Sequence, residues 1–279
     1  MNKKEVLDLL TENGLSPNKM YGQNFLIQED ISRKIVEAAG IVGSDTVLEI
    51  GPGLGELTGM ILEKGCALTA VEIDSGLYSL LTKKFSNNKN LTLIHNDFLK
   101  MEKSGAFNKV VSNLPYSCAS EILFNVSGKY YPELLCVMVQ REMAERIISD
   151  PGTPEYGAMT VMLSSIYESR IAFHVQPTSF FPRPDVVSSV VIFTKKQLPP
   201  LMADQKILFS KLVKSAFWGR RKTLVKACSS SPHLQLDKAI LLDALSLLGV
   251  NVAVRGEELS SAQFMELAKI IGSQQETHD

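Results

Sequence analysis

A doubly wound α/β domain followed by a smaller all-helical one is the fold this sequence predicts, on three observations. Thr46–Ile50 is a short, largely apolar run that passes straight into Gly51-Pro52-Gly53-Leu54-Gly55 and then into the helical spacing of residues 57–64. Such a strand, glycine turn and helix opens nucleotide-binding α/β sheets. Further strands are expected over residues 67–73, Leu91–His95 and residues 109–112. Near the C-terminus, residues 237–248 are apolar at helical spacing and meet Gly249 as a stop signal, and Ser260 with Gln263 forms a capping box ahead of residues 264–271.

In chain order, residues 4–10 form an amphipathic segment, followed by the polar stretch 16–19. Gly22-Gln23-Asn24-Phe25-Leu26 comes next, an arm expected to lie across the first domain, and residues 31–39 have helical spacing. The glycines of the turn let the backbone approach a ligand closely, and the following helix start favours a negatively charged group. A dinucleotide fingerprint needs glycine at position 56, where this chain has Glu56, and a carboxylate there would serve a pyrophosphate badly. A sulfonium cofactor without phosphates suits an acidic rim better. The second strand ends in Glu72, 21 residues beyond Gly51, where a carboxylate can accept both ribose hydroxyls. The third ends in Asn96-Asp97-Phe98: Asp97 can accept from an adenine amino group and Phe98 can lie against the ring. Each acid alone is more often a solvated loop residue. Three at successive strand ends point to S-adenosylmethionine.

The fourth strand runs into Asn113-Leu114-Pro115-Tyr116. Pro115 biases Leu114 toward extended backbone, so the carbonyls of Asn113 and Leu114 are held at a strand's C-terminal edge, where open α/β sheets bind ligands. The Asn113 side chain adds a neutral acceptor and Tyr116 a stacking face. Asn and Pro are also ordinary turn residues, which leaves a plain strand-to-loop turn open for these four alone. Beside a methyl donor they suit an exocyclic amine on a nucleobase. The lone pair of such an amine is delocalised into the ring; accepting both of its N–H bonds favours a pyramidal nitrogen and frees the pair, with no basic side chain required. Stacking on Tyr116 implies a nucleotide turned out of its helix or taken from a loop.

Composition bounds the rest. The chain has 279 residues, 45% hydrophobic and 21% charged, which is ordinary for a soluble protein with one large domain and a smaller one. The opening MNKKEVLDLLTENG mixes acids among its apolar residues, which argues against a signal peptide, and the apolar run 134–139 is far short of a membrane span. Cys66, Cys118, Cys136 and Cys228 show no C-x-x-C and the four histidines no H-E-x-x-H, so neither a zinc site nor a disulfide framework is implied. A cytoplasmic, reduced, metal-free protein is expected. The net charge of −1 is unevenly spread: residues 1–197 hold 19 basic and 22 acidic residues, residues 198–279 hold 10 and 8. From Gln205 to Lys226 there are seven basic residues and no acid. A run like this is usually a solvated helix face. Here Phe217-Trp218 interleaves with Arg220-Arg221-Lys222, which is more like a phosphate-contacting surface.

The residues 22–26, 49–55, 71–74, 96–98 and 113–116 resemble the motifs of the ribosomal RNA adenine-N6,N6-dimethyltransferases. Residues 139–146, 180–189, 217–224 and 255–259 are similar to further motifs of that family, so the likeness spans nearly the whole chain in order. It implies a Rossmann-like class I methyltransferase sheet over residues 1–197, with the N-terminal arm, and a helical RNA-contacting domain over 198–279; the Pro199-Pro200 pair marks the linker between them, at 195–204. It implies that Asn24 and Leu26 close over the methionine end of the cofactor, with Gly51 in the turn, Glu72 on the ribose and Asp97 on the adenine. Asn113 and Leu114 then meet the acceptor amine and the cofactor edge, and Tyr116 and Phe181 sandwich the target base. For Phe181, core packing before a Pro-rich loop stays open as the alternative. Residues 140–146 read as a strand end and helix and receive no catalytic role. Arg220, Arg221 and Lys222 are the expected RNA contacts.

The family has two branches. One dimethylates two adjacent adenosines in the 3′-terminal hairpin loop of 16S rRNA and helps time small-subunit maturation. The other dimethylates one adenosine of large-subunit RNA and confers macrolide-type resistance. Leu114 and the elements Arg-Arg-Lys-Thr-Leu and Arg-Gly-Glu-Glu-Leu resemble the first, which implies 16S rRNA within the 30S subunit or its precursor as partner, and a monomer without metal or membrane. The alternatives are the large-subunit branch and a non-enzymatic assembly factor. A small-molecule methyltransferase would not need the basic run, and a DNA adenine methyltransferase would usually carry Asp-Pro-Pro-Tyr.

Overall fold

A computed structural model describes residues 1–18, 21–197, 201–234 and 236–276. Lys19 of the polar stretch and Pro199-Pro200 of the expected linker lie outside the described residues. The elements are α1 (Lys3–Glu12), β1 (Phe25–Leu26), α2 (Glu29–Ala38), β2 (Thr46–Ile50), α3 (Glu56–Leu62), β3 (Ala67–Glu72), α4 (Ser75–Lys84) and β4 (Leu91–His95). Then come β5 (Lys109–Asn113), α5 (Ala119–Lys129), β6 (Leu134–Gln140), α6 (Arg141–Ile147), α7 (Ala158–Ser164), β7 (Tyr167–Val175), β8 (Phe180–Phe181) and β9 (Ser188–Lys195). The chain closes with α8 (Ala203–Trp218), α9 (Leu224–Ser230), α10 (Lys238–Leu247) and α11 (Ser261–Glu276).

The main sheet has seven strands in the order β4-β3-β2-β5-β6-β9-β7, parallel from β4 through β6 and antiparallel between β6 and β9. Successive strands step outward from β2 in one direction through β3 and β4, then in the other through β5 and β6. The reversal puts a topological switch point between β2 and β5, beyond whose carboxyl ends such sheets bind ligands. The β2–β5 ladder pairs Val47 with Lys109 and Leu48 with Val110, and higher up the buried Ser112 hydroxyl donates to the Ile50 carbonyl. A side-chain bond therefore holds the two strands together where they enter the site. The apolar run 134–139 becomes β6, flanked by β5 and β9 and buried over Leu135–Val139, as a strand covered on both faces must be.

Two compact units account for the described chain: residues 1–144 with 168–195, and residues 145–167 with 196–279. A single boundary at residue 197 would place residues 145–167 in the first domain. They belong to the second unit because their contacts are made there. Tyr156 donates through its hydroxyl to the Leu259 carbonyl at 2.8 Å, the Gly152 N–H donates to the Glu257 carbonyl at 2.8 Å, and Tyr156 and Val161 pack in one core with Leu212, Leu245, Phe264 and Leu267. In the first unit, α1 is fastened by a reciprocal cap between Asn2 and Glu5 and packs Val6 and Leu10 against Phe25, Leu54, Leu77 and Leu80. The arm is pinned by β1–β8 pairing, Phe25 opposite Phe181 and Leu26 opposite Phe180. Ser260 and Gln263 make the expected cap, Ser260 N–H to Gln263 Oε1 at 2.9 Å and Gln263 N–H to Ser260 Oγ at 3.2 Å. Among the described residues no helix is long and apolar enough to cross a membrane.

Candidate active site

The turn after β2 is shaped by close approach. Gly53 and Gly55 sit at φ +60° and +76°, and a Cβ on Gly55 would lie 2.6 Å from Leu81 Cδ2 and 2.7 Å from Phe85 Cε2. Only glycine fits both the left-handed backbone and that space. The Gly53 N–H donates to Glu72 Oε2 at 3.1 Å, and the Asp74 N–H to Glu72 Oε1 at 2.9 Å, so two backbone amides aim the buried Glu72 carboxylate along the turn. Burial pushes its pKa up and these two amides pull against that. Each oxygen keeps a second lone pair for a ligand hydroxyl.

Beside this turn opens a cleft with an empty volume of about 860 Å³, its mouth included, which is of small-molecule size. Its lining brings together Asn24, Leu26, Gly51, Glu72, Asn113 and Tyr116, with Leu114 between the last two. The arm contributes backbone as well as side chain. Asn113 donates through Nδ2 to the Asn24 carbonyl at 3.2 Å, while the Asn24 side chain donates to the Gly22 carbonyl at 3.0 Å. With its N–H₂ engaged by the protein, Asn113 presents Oδ1 as a neutral acceptor. Leu114 is buried and its N–H continues the sheet by donating to the Met138 carbonyl at 3.1 Å. Tyr116 is fixed at its far end, where its hydroxyl and the buried Ser188 hydroxyl lie 2.5 Å apart. Burial raises the phenol's pKa and the bond to Ser188 lowers it, leaving it above its ordinary value.

Asp97, Phe98 and Phe181 do not appear in that lining. Asp97 Oδ1 accepts from the Leu99 N–H at 3.0 Å, and Oδ2 lies 3.4 Å from Lys100 Nζ. Phe98 was expected against a ligand ring; it is buried and stacks on Tyr130, with ring centroids 6.0 Å apart. Phe181 packs against the α1 cluster, and Lys3 Nζ stands 5.7 Å from its ring centroid.

Besides Glu56, whose carboxylate the sequence already places on the rim, the lining holds a second acid that no sequence motif assigns to the site. Glu49 is fully buried, accepts from the Thr58 hydroxyl at 2.7 Å, and has its pKa pushed up to about 8, chiefly by burial, with the Glu72 charge adding to the shift and Thr58 opposing it. The signal for it was present, since a carboxylate interrupts an otherwise apolar strand. Glu56 lines the cleft with its carboxylate 2.7 Å from the Met1 ammonium, and Lys84 Nζ donates to the Leu54 carbonyl at 2.9 Å from the other side of the turn.

In the second unit the basic loop between α8 and α9 is exposed at Arg220, Arg221 and Lys222. Arg220 is tied inward: Nε donates to Glu257 at 2.8 Å and a terminal nitrogen to the Pro154 carbonyl at 2.5 Å and the Thr153 carbonyl at 3.4 Å. Lys222 Nζ lies 4.9 Å from the half-exposed Trp218 ring and donates to Ser230 Oγ at 3.2 Å. No side-chain partner of Arg221 occurs among the described residues.

A family model described as ribosomal RNA adenine dimethylase matches residues 14–272. Ribosomal RNA small subunit methyltransferase A of Lachnoclostridium phytofermentans is 37% identical over 278 residues, covering 96% of each chain. That of Magnetococcus marinus is 37% identical over 270 residues, covering 93% of this chain and 94% of the relative. Among solved structures, a dimethyladenosine transferase from Plasmodium falciparum superposes with a TM-score of 0.77 at 26% identity, over 87% of this chain and 95% of that one. The 23S rRNA methyltransferase ErmE gives 0.70 at 25% identity, over 89% of this chain and all of the other.

Proposed function

This chain belongs to the ribosomal RNA adenine dimethylase family, and from that premise we propose that it dimethylates N6 of two adjacent adenosines in the 3′-terminal hairpin loop of 16S rRNA. The observation that carries the reading is the commitment of Asn113 Nδ2 to the Asn24 carbonyl, which leaves Oδ1 free to serve as an uncharged acceptor. The cofactor is S-adenosylmethionine, which supplies an electrophilic methyl group on a sulfonium. The residues present fit it. Glu72 has lone pairs left for ribose hydroxyls, Gly51 and the turn admit a ligand to backbone distance, and Asn24 and Leu26 lie over the same cleft. Asp97 is assigned to the adenine amino group through the lone pairs that Leu99 and Lys100 do not use.

On the acceptor side, Asn113 Oδ1 and the Leu114 carbonyl accept the two N–H bonds of adenine N6. That arrangement localises the nitrogen lone pair and sets it in line for transfer. After transfer the alkylated nitrogen is acidic and gives its proton to water, so no basic side chain takes part. Tyr116, held by Ser188, supports one face of the base, and Phe181 supports the other once Lys3 leaves its ring. The names of the relatives favour the small-subunit branch, as does Leu114. The reading includes action as a monomer in the cytoplasm on the 30S subunit or its precursor, with RNA held at Arg221 and Lys222. Arg220 shares in that contact only by shaping the loop.

The test is transfer of labelled methyl to small subunits isolated without the modification, followed by mapping of the modified nucleotides. Dimethyladenosine at two adjacent positions of the 3′-terminal loop is the expected result. Label on large-subunit RNA, or on small molecules with no RNA present, would assign the chain elsewhere.

A further inference from the structure

Ser32, in the first turns of α2, is fully buried and lines the cleft of the first unit, yet its hydroxyl meets no hydrogen-bond partner. A helical serine ordinarily turns its hydroxyl back onto a carbonyl three or four residues earlier. Ser79, Ser229 and Ser230 of this chain do so, onto Ser75, Val225 and Lys226. Ser32 makes no such bond, so its hydroxyl bears the full desolvation penalty of a buried polar group. Ser127 and Ser215 are also unpartnered but stand outside the cleft lining. A buried polar atom without a partner calls for an explanation, and beside a ligand cleft a ligand atom is the nearest one to hand.

The surrounding residues indicate which part of a ligand would meet it. Ile35, one turn further along α2, packs in one apolar cluster with Leu26 and Leu57, and all three line the cleft. In the cofactor reading above, Glu72 takes the ribose and Asn113 to Tyr116 face the acceptor. The wall made by α2, the arm and Glu49 is left for the remaining polar part of the cofactor, its α-amino-acid head. A hydroxyl donates as readily as it accepts, and a donor is what a carboxylate needs. A charged partner also makes the bond stronger than a neutral one would.

We infer that Ser32 is a cofactor-binding residue whose hydroxyl donates a hydrogen bond to the α-carboxylate of S-adenosylmethionine. The inference rests on the reading of the cleft as the S-adenosylmethionine site and adds to it a contact that none of the motifs assigns. It makes this wall of the cleft selective for ligands that carry the amino-acid head.

Calorimetric titration of the full chain with S-adenosylhomocysteine and with 5′-methylthioadenosine tests it, because the second ligand keeps the nucleoside and the sulfur but lacks the amino-acid head. Ser32→Ala is expected to weaken S-adenosylhomocysteine about tenfold and to leave 5′-methylthioadenosine within about twofold. Ser32→Cys, close in shape but a weak donor, is expected to fall between wild type and Ser32→Ala. The melting temperature of the free Ser32→Ala protein should not drop, since no protein hydrogen bond is removed. Equal weakening of both ligands, unchanged binding of S-adenosylhomocysteine, or a drop in melting temperature would each overturn the inference. If the wild-type chain binds neither ligand, the cofactor reading itself fails; if it binds both and Ser32→Ala changes nothing, only the role of Ser32 does.

Discussion

In the cleft of the first unit, Asn113 and Tyr116 each give one polar group to the protein and leave another part of the side chain uncommitted. Asn113 is tied through Nδ2 and keeps Oδ1; Tyr116 is tied through its hydroxyl and keeps its ring. In the basic loop of the second unit, Arg220 gives its guanidinium to Glu257 and to the carbonyls of the 153–154 turn, while the neighbouring Arg221 has no side-chain partner among the described residues. Both regions are expected from short motifs. The difference lies in what remains uncommitted. A neutral side chain held by one bond is pre-organised for a ligand, and a charged one held by three is part of the scaffold.

That contrast can be broken in several places. The largest effect is expected from Asn113→Ala, which should lower single-turnover methyl transfer about a hundredfold or more while S-adenosylhomocysteine affinity stays within about threefold. Equal loss of both would make Asn113 a binding residue only. Tyr116→Ala comes next: loss of a stacking platform, about 1–3 kcal/mol, should raise the RNA concentration needed for half-maximal transfer. Tyr116→Phe keeps the ring, loses the bond to Ser188 and should cost less than Tyr116→Ala. If the two variants behave alike, the hydroxyl and not the ring is what matters.

In the second unit the two arginines should separate. Arg221→Ala is expected to reduce the salt dependence of RNA binding by about one phosphate contact and leave the melting temperature alone. Arg220→Ala should instead lower the melting temperature by about 2–4 °C, as the loss of roughly 1 kcal/mol of hydrogen bonding would. An unchanged melting temperature for Arg220→Ala would return that residue to the RNA-contacting set.

A pH-dependent effect concerns Glu49. Its carboxyl titrates near 4.5 in an unfolded chain and at about 8 in the folded one. Between those values the folded protein holds a proton that the unfolded chain has released, so this group's contribution to stability is greatest below about 4.5 and is lost as pH rises toward 8. Glu49→Gln should flatten the fall in melting temperature over that window. A wild-type profile already flat there would mean that the carboxyl ionises normally.

What the sequence made legible was local. The strand at Thr46–Ile50 and the strand at Leu91–His95 have the expected bounds, and the cap at Ser260 is made by the expected pair. Alternation of apolar strands with helices, and a glycine turn that only left-handed backbone can close, carry that much by themselves. What stayed hidden depends on contacts between distant residues. Residues 145–167 join the second unit through Tyr156 to Leu259, 103 positions on, and Arg220 reaches back 67 positions to Thr153. No periodicity announces such pairings. Phe98 looked like a ligand-facing ring because it follows Asp97, but a buried aromatic partner, Tyr130, was available to it. Ser32 was invisible for the opposite reason, since a serine within a helix is expected to satisfy itself.

The central claim is that the glycine turn and the Asn113 amide form one site, with donor and acceptor meeting between them. A crystal structure of the chain with S-adenosylhomocysteine tests it most directly. The account predicts the ribose hydroxyls on Glu72 and the sulfur directed toward Asn113 Oδ1, with Nδ2 still on the Asn24 carbonyl. A ligand lodged away from the turn, or an Asn113 side chain rotated so that its Oδ1 points into the protein, would contradict it.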